Sequence, residues 1–128
     1  MPKWSDYKQQ SRERGSLAFE LFVVQSHPAG SPEAMKALLP DHLAYQAKLE
    51  AEGKLFLAGP MSDETGEEMA GIGNIIYRAG SLDEARNLAE ADPMHANGGR
   101  TFTVRRWLVN EGSLNLHVGL STGQVSIS

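Results

Sequence analysis

Between Leu39 and Gly53 the chain reads LPDHLAYQAKLEAEG, and its apolar positions are spaced for one face of a helix. Met35, Leu38, His42, Tyr45 and Leu49 follow one another at steps of three and four, so all five side chains share that face. A helix with such a stripe must bury it, and the natural partner is a sheet. His42 therefore points where the leucines point. It is either a hydrogen-bonded core histidine or a titratable group held in a pocket.

The flanking sequence supplies the sheet. Residues 1–16 form a polar N-terminal extension, with a short helix over Ser5 to Arg14 and with Trp4 and Tyr7 as the anchors that could dock it as a lid or strap. Leu17 to Ser26, LAFELFVVQS, alternates as a strand does and ends in the turn from His27 to Gly30. Ser31 followed by Pro32 opens a helix, and Pro40 inside the pattern predicts a kink or a fresh start. The second helical segment then runs from Asp41 to Glu52 and is stopped by Gly53. Lys54 to Ala58, KLFLA, reads as a second strand closed by Gly59 and Pro60, and SDETGEE as a polar loop.

A third strand is expected from Met69 to Ala79, where Gly71 and Gly73 share one face and leave room for a neighbour or ligand. Ser81 and Glu84 form a capping box before a helix with Leu82, Ala85, Leu88 and Ala89 inward, and Asp92 with Pro93 stops it. After the turn MHANGG, Arg100 to Val109 is a fourth strand. Leu114 to Leu120 and Val125 to Ile127 alternate again as a terminal hairpin.

The order βαββαβ predicts an α+β, ferredoxin-like domain over residues 17–110, an antiparallel four-stranded sheet with both helices on one face. The other face is left bare, and the economical cover is a second copy packed face to face, a dimeric α+β barrel. A homodimer is therefore expected, with the C-terminal β-hairpin extension of residues 111–128 exchanged across it.

Composition narrows the function. Twelve Lys and Arg stand against 16 Asp and Glu, with no basic cluster, so nucleic acid is an unsuitable partner. There is no cysteine, which excludes disulfides, thiolate nucleophiles and cysteine-type zinc sites. No apolar run reaches membrane length and the start is too polar for a signal peptide, so a cytoplasmic protein with no membrane partner is expected. Phosphate loops, nucleotide-binding glycine patterns opening a helix, paired metal histidines and the GxSxG elbow are absent, and neither a metal nor a cofactor is expected.

What remains is a set of polar residues at element ends. Asp92 is a turn-former before Pro93 on its simplest reading, but in a split βαβ fold the two helices lie side by side, so His42 and Asp92 can be neighbours. A carboxylate on one ring nitrogen fixes the tautomer and suits the histidine to general-base work near neutral pH. No serine or cysteine nucleophile is evident beside them, so proton transfer is the natural chemistry. His95, in DPMHANGG, can join the site from its loop, although a glycine-flanked loop histidine is more often solvated. Gly59 and Pro60 would shape the pocket, with Ser62 and Asp63 at its mouth. Arg105 and Arg106 point to opposite faces, one available to an acidic group or, more simply, to a surface ion pair. His27 and His117 show no partner.

From Leu17 to Leu108 the chain resembles the YciI-like (YCII-related) family of the dimeric α+β barrel group. The features that carry the likeness are the histidine in DHLAYQAKLEAEGKL, LAGP at Leu57 to Pro60, SLDEARNLAEADP ending at Asp92 and Pro93, and the strand RRWL, in that order. The resemblance implies a ferredoxin-like protomer, dimerisation through the sheets, and a His-Asp active site carried onto His42 and Asp92. The N-terminal extension and the long tail depart from the pattern. Related barrels isomerise or eliminate from small ring compounds, which agrees with a base and no nucleophile.

Two functions follow as expectations. One is a cofactor-independent lyase or isomerase on a small cyclic hydroxylated or carbonyl compound, with His42 as base, Asp92 orienting it, and Gly59, Pro60, Ser62 and His95 around the substrate. The other is a non-catalytic dimeric module that binds a small ligand or a partner, with His42 and Asp92 as a buried pair fixing the helices. A haem- or oxygen-using barrel with a lone axial histidine has less support.

Overall fold

Period-two and period-3.6 stretches form where the sequence pattern puts them. A computed structural model describes residues 1–128, with helix α1 (Trp4–Glu13), strand β1 (Phe19–Pro28), α2 (Pro32–Ala51), β2 (Leu55–Ser62), β3 (Met69–Tyr77), α3 (Leu82–Ala91), α4 (Pro93–Ala96), β4 (Arg100–Val109), β5 (Leu116–Val118) and β6 (Val125–Ile127). The four long strands form one sheet in the order β2-β3-β1-β4, the ferredoxin-like arrangement. β1 pairs antiparallel with β3 from Phe22 opposite Tyr77 to Ser26 opposite Gly73.

That register sets the core. Phe22 and Val24 of β1 meet Ile75 and Tyr77 of β3 on the helix side, and Leu49, Ala85 and Ala89 close over them from α2 and α3. The five-residue stripe of α2 lies inward as spaced: Leu49 is buried and Met35, Leu38, His42 and Tyr45 are half-buried. Tyr45 ties the two helices by donating its hydroxyl to the Leu88 carbonyl at 2.7 Å. Burial pushes the Tyr45 pKa up, with Asp92 and Glu52 adding to the shift. On the opposite face Leu21 and Ile76 are already buried within the single chain, so that face is less bare than the pattern suggests.

Of the boundaries that differ from expectation, two have a clear backbone reason. α2 runs unbroken through Pro40, because Pro40 and Lys36, whose carbonyl loses its donor, both lie on the exposed side where water replaces the bond. β2 does not end before Gly59 but continues through Pro60 to Ser62. It is an edge strand, so the missing proline N–H costs no ladder bond, and the pairing with β3 shifts between Pro60 and Ser62.

At the start of α3, Ser81 Oγ accepts from the Glu84 amide at 3.1 Å. Glu84 reaches one residue further back than a capping box requires, to the Gly80 amide at 2.8 Å. The SDETGEE loop is organised by Asp63, whose carboxylate accepts from the Thr65 hydroxyl at 2.6 Å and from the Thr65 and Gly66 amides.

The chain divides into two compact units, Glu20–Trp107 and a second made of Met1–Phe19 with Leu108–Ser128. Within the second, the Ser16 hydroxyl donates to Asn110, Asn110 donates to Ser11 Oγ, and Arg14 lies over the Tyr7 ring at 5.7 Å. Its hairpin pairs Leu116 with Ile127 and Val118 with Val125.

One core group stands out. Tyr77 is fully buried, and its hydroxyl has no hydrogen-bond partner. Burial, then the Asp92 and Tyr45 charges, push its pKa up. A buried hydroxyl without a partner costs free energy. Tyr77→Phe is therefore expected to leave stability unchanged or raise it by about 1 kcal/mol. Urea unfolding checks this, and a loss of that size would mean the hydroxyl is satisfied.

Candidate active site

The site begins with a helix that must stop. Pro93 bars residue 92 from continuing α3, and Asp92 takes extended angles, φ −61° and ψ 124°. Its carboxylate turns back to cap α4, accepting from the Met94 amide at 2.9 Å. Asp92 is completely buried, and a buried carboxylate needs further donors. The one supplied is His42, whose Nδ1 lies 2.9 Å from Oδ1 and 2.8 Å from Oδ2.

A carboxylate only accepts, so His42 Nδ1 carries the proton and Nε2 keeps its lone pair. His42 is a fifth exposed and lines an open cleft of about 720 Å³. Leu39, Leu43 and Gln46 of α2 form one wall, and Gly59 and Pro60 of β2 another. Gly71 and Gly73 of β3 also line it. Gly71 sits at φ +82° beside the Pro28 ring, a conformation that favours glycine, whereas Gly73 contributes the space its missing side chain leaves. Gln46, one turn after His42, has a buried amide oxygen with no partner.

A second polar cluster reaches the same cleft. The Ser26 hydroxyl, on the core-facing side of β1, is 2.8 Å from His95 Nε2. His95 Nδ1 is 2.7 Å from the Ala89 carbonyl, an acceptor, so Nδ1 is the protonated nitrogen and Nε2 accepts from Ser26. Arg100 donates from Nε to Ser26 Oγ at 2.8 Å and from one terminal nitrogen to the carbonyls of both Ser26 and Gly71. Ser26 and Arg100 both line the cleft.

Of the residues singled out from sequence, His42 and Asp92 are brought together, and Gly59 and Pro60 stand at the cleft wall. Ser62 is exposed at the end of β2, donates to the Asp63 carbonyl at 2.9 Å, and does not line the cleft. His95 is no solvated loop histidine: MHA folds into α4, which tucks the ring under α3 and against Phe102, with ring centres 4.8 Å apart. His95 meets the cleft only through Ser26. Arg106 pairs with Glu20 at 3.6 Å, the simpler of its two readings. Ser26, Gln46 and Arg100 were missed. The available signal was Ser26 itself, a polar residue continuing the inward series Phe22, Val24.

Residues 18–108 match the model of the YCII-related domain. The chain belongs to the YCII-related family. A similar protein is the uncharacterised YjpA of Bacillus subtilis strain 168, 36% identical over 66 residues, or 52% of this chain and 71% of that one. Among solved structures, the chain is similar to TftG, the 5-chloro-2-hydroxyhydroquinone dehydrochlorinase of Burkholderia phenoliruptrix AC1100 in complex with 2,5-dihydroxybenzoquinone. The TM-score is 0.50 with 26% identity, over 68% of this chain and 92% of that one. Within this family, the His42 and Asp92 pair falls inside the matched residues, as do Ser26, His95 and Arg100.

Burial pushes the His95 pKa below the ordinary histidine value, outweighing the Ala89 carbonyl and Asp92; His42 and Arg100 push it the same way as burial. The folded chain thus binds fewer protons at His95 than the unfolded chain does. Its contribution is complete above about pH 6.5 and is lost as pH falls through the depressed folded value. The thermal midpoint should drop on acidification below that point, with a shallower drop in His95→Gln. Equal slopes in the two proteins would show that His95 titrates alike folded and unfolded.

Proposed function

We propose that the protein is a cofactor-independent lyase or isomerase acting on a small cyclic hydroxylated or carbonyl compound, with His42 as general base. The observation that carries this is the His42 geometry: Nδ1 is held by a fully buried carboxylate, and Nε2 is left for the cleft. A base fixed in one tautomer needs no reorientation before it accepts a proton, and Asp92 compensates the charge the ring then gains. Asp92 is the positioning residue, through its two contacts with Nδ1 and its backbone anchor at Met94.

The similarity to a dehydrochlorinase supports the class of chemistry. In such an elimination His42 Nε2 removes a proton from the ring compound, and the electron pair expels a leaving group or, in an isomerisation, takes a proton back at another atom. The apolar walls from Leu39, Leu43 and Pro60 suit a flat ring, and the unpaired Gln46 oxygen suits a hydroxyl donor. The working form we assign is a homodimer. Supporting this, the hairpin exposes Leu116, Val118, Val125 and Ile127, and β2 and β4 expose Leu57 and Trp107. Light scattering should give twice the chain mass, and a monomer at micromolar concentration would remove the dimer.

The decisive variant is His42→Asn. Its amide nitrogen stands near where Nδ1 stood, so Asp92 keeps a donor while the cleft loses the base. With 5-chloro-2-hydroxyhydroquinone as first substrate, kcat is expected to fall roughly 10²- to 10⁴-fold with an unchanged melting temperature. Undiminished turnover in that folded variant overturns the assignment of His42. Complete removal in His42→Ala confounds the result, because a buried carboxylate left with one donor costs about 3–5 kcal/mol.

A further inference from the structure

The cleft holds a second constellation that proton abstraction by His42 does not use. We propose that Ser26 and His95 form a nucleophile and base pair, giving the site an acyl-transfer activity toward activated esters or lactones with Ser26 acylated as the intermediate. The pair meets the geometric requirement for an activated hydroxyl. Ser26 Oγ is 2.8 Å from His95 Nε2, within reach for proton transfer, and the base is oriented in turn by a third group, the Ala89 carbonyl at 2.7 Å from Nδ1.

Three further observations favour reactivity over a merely satisfied core hydroxyl. Ser26 lines the cleft although nearly all of its surface is buried. Arg100 donates to the same oxygen from Nε at 2.8 Å, a fixed positive charge that lowers the cost of oxygen losing its proton. The guanidinium cannot swing away, because a terminal nitrogen is held by the Ser26 carbonyl at 2.8 Å and by the Gly71 carbonyl. Its other terminal nitrogen meets only Met35 Sδ at 3.7 Å and is free for the oxygen that becomes charged. Burial keeps His95 neutral and so able to accept a proton.

The step balances within these groups and water. Ser26 Oγ bonds to the carbonyl carbon while its proton passes to His95 Nε2, and the carbonyl pair moves onto oxygen beside Arg100. Collapse breaks the bond to the alcohol oxygen, which takes the proton from His95. Water then attacks the acyl carbon and gives a proton to His95, Ser26 departs with that proton, and a carboxylic acid is released. In a lactone, the alcohol stays on the same molecule. Neither half needs His42, so this activity and the proposed elimination stand or fall separately.

The test treats the full-length protein with a fluorophosphonate probe and maps the adduct by peptide mass spectrometry. A stoichiometric adduct on Ser26 is expected, with labelling slowed roughly 10²- to 10⁴-fold in His95→Gln. p-Nitrophenyl acetate should likewise give a burst of one equivalent of nitrophenolate. Wild-type protein carrying no adduct on Ser26, or an equal labelling rate in folded His95→Gln, overturns the proposal. Because an absent wild-type adduct overturns the proposal whatever the variant does, a misfolded variant cannot rescue it, and turnover lost in His42→Asn bears only on the elimination.

Discussion

The contact between His42 and Asp92 is the interaction on which the arrangement of the helical layer depends. A carboxylate with no exposure to water is tolerable only if donors surround it, and the donors come from two different places in the chain. One is the Met94 amide, available because Pro93 ends α3 and lets a new turn begin. The other is His42, fifty residues earlier, available because α2 lays its inward stripe beside α3. Remove the helix break and the cap is lost. Shift α2 by one residue and the histidine leaves the stripe. The pair thus fixes both the rotation of α2 and the path from α3 into β4.

Close approach where that path returns to the sheet shows the same constraint in steric form. Gly99 lies where a side-chain carbon would stand 2.9 Å from Leu38 and 3.1 Å from the Met94 sulfur. The Gly99 carbonyl also accepts from the amides of Ala29 and Gly30, joining the end of β1 to the start of β4. Glycine at this point lets α2, α4 and the two strand ends converge. That convergence brings Arg100 against Ser26.

Much of this was legible in the residues. The alternation of β1, the stripe of α2, the Ser81 cap and the Asp92-Pro93 stop each carry a local signal, and their order leaves few topologies for the sheet. His42 and Asp92 were legible because a polar group interrupting an apolar face stands out, and because the fold places the two helices together. The limits of β2 and the continuity of α2 were not, since whether proline breaks an element depends on whether its missing bond faces water or a neighbouring strand. Ser62 was misplaced for a related reason: β2 runs on past Gly59, which carries Ser62 out to the exposed hairpin. His95 was misread because loop composition describes MHANGG as open, while the Asp92 cap folds its first residues into a turn. Arg100 carries no signal as the first residue of a strand. Its role arises only from long-range hydrogen bonds.

The two histidines that result are in the same tautomer with different partners, and the difference has chemical content. Each carries its proton on Nδ1 and offers Nε2. The partner of His42 is a carboxylate, which in the proposed reaction would offset the positive charge of a ring that has taken a proton from substrate. The partner of His95 is a carbonyl, which orients the ring but supplies only a dipole, and the neighbouring Arg100 opposes a lasting second charge. His95 is therefore suited to pass a proton on within one step, as a relay behind a hydroxyl does. Family membership alone could not separate these roles, because function resides in the site rather than in the fold. The separation rests on what stands behind each imidazole: an ionised side chain in one case, the end of a helix in the other.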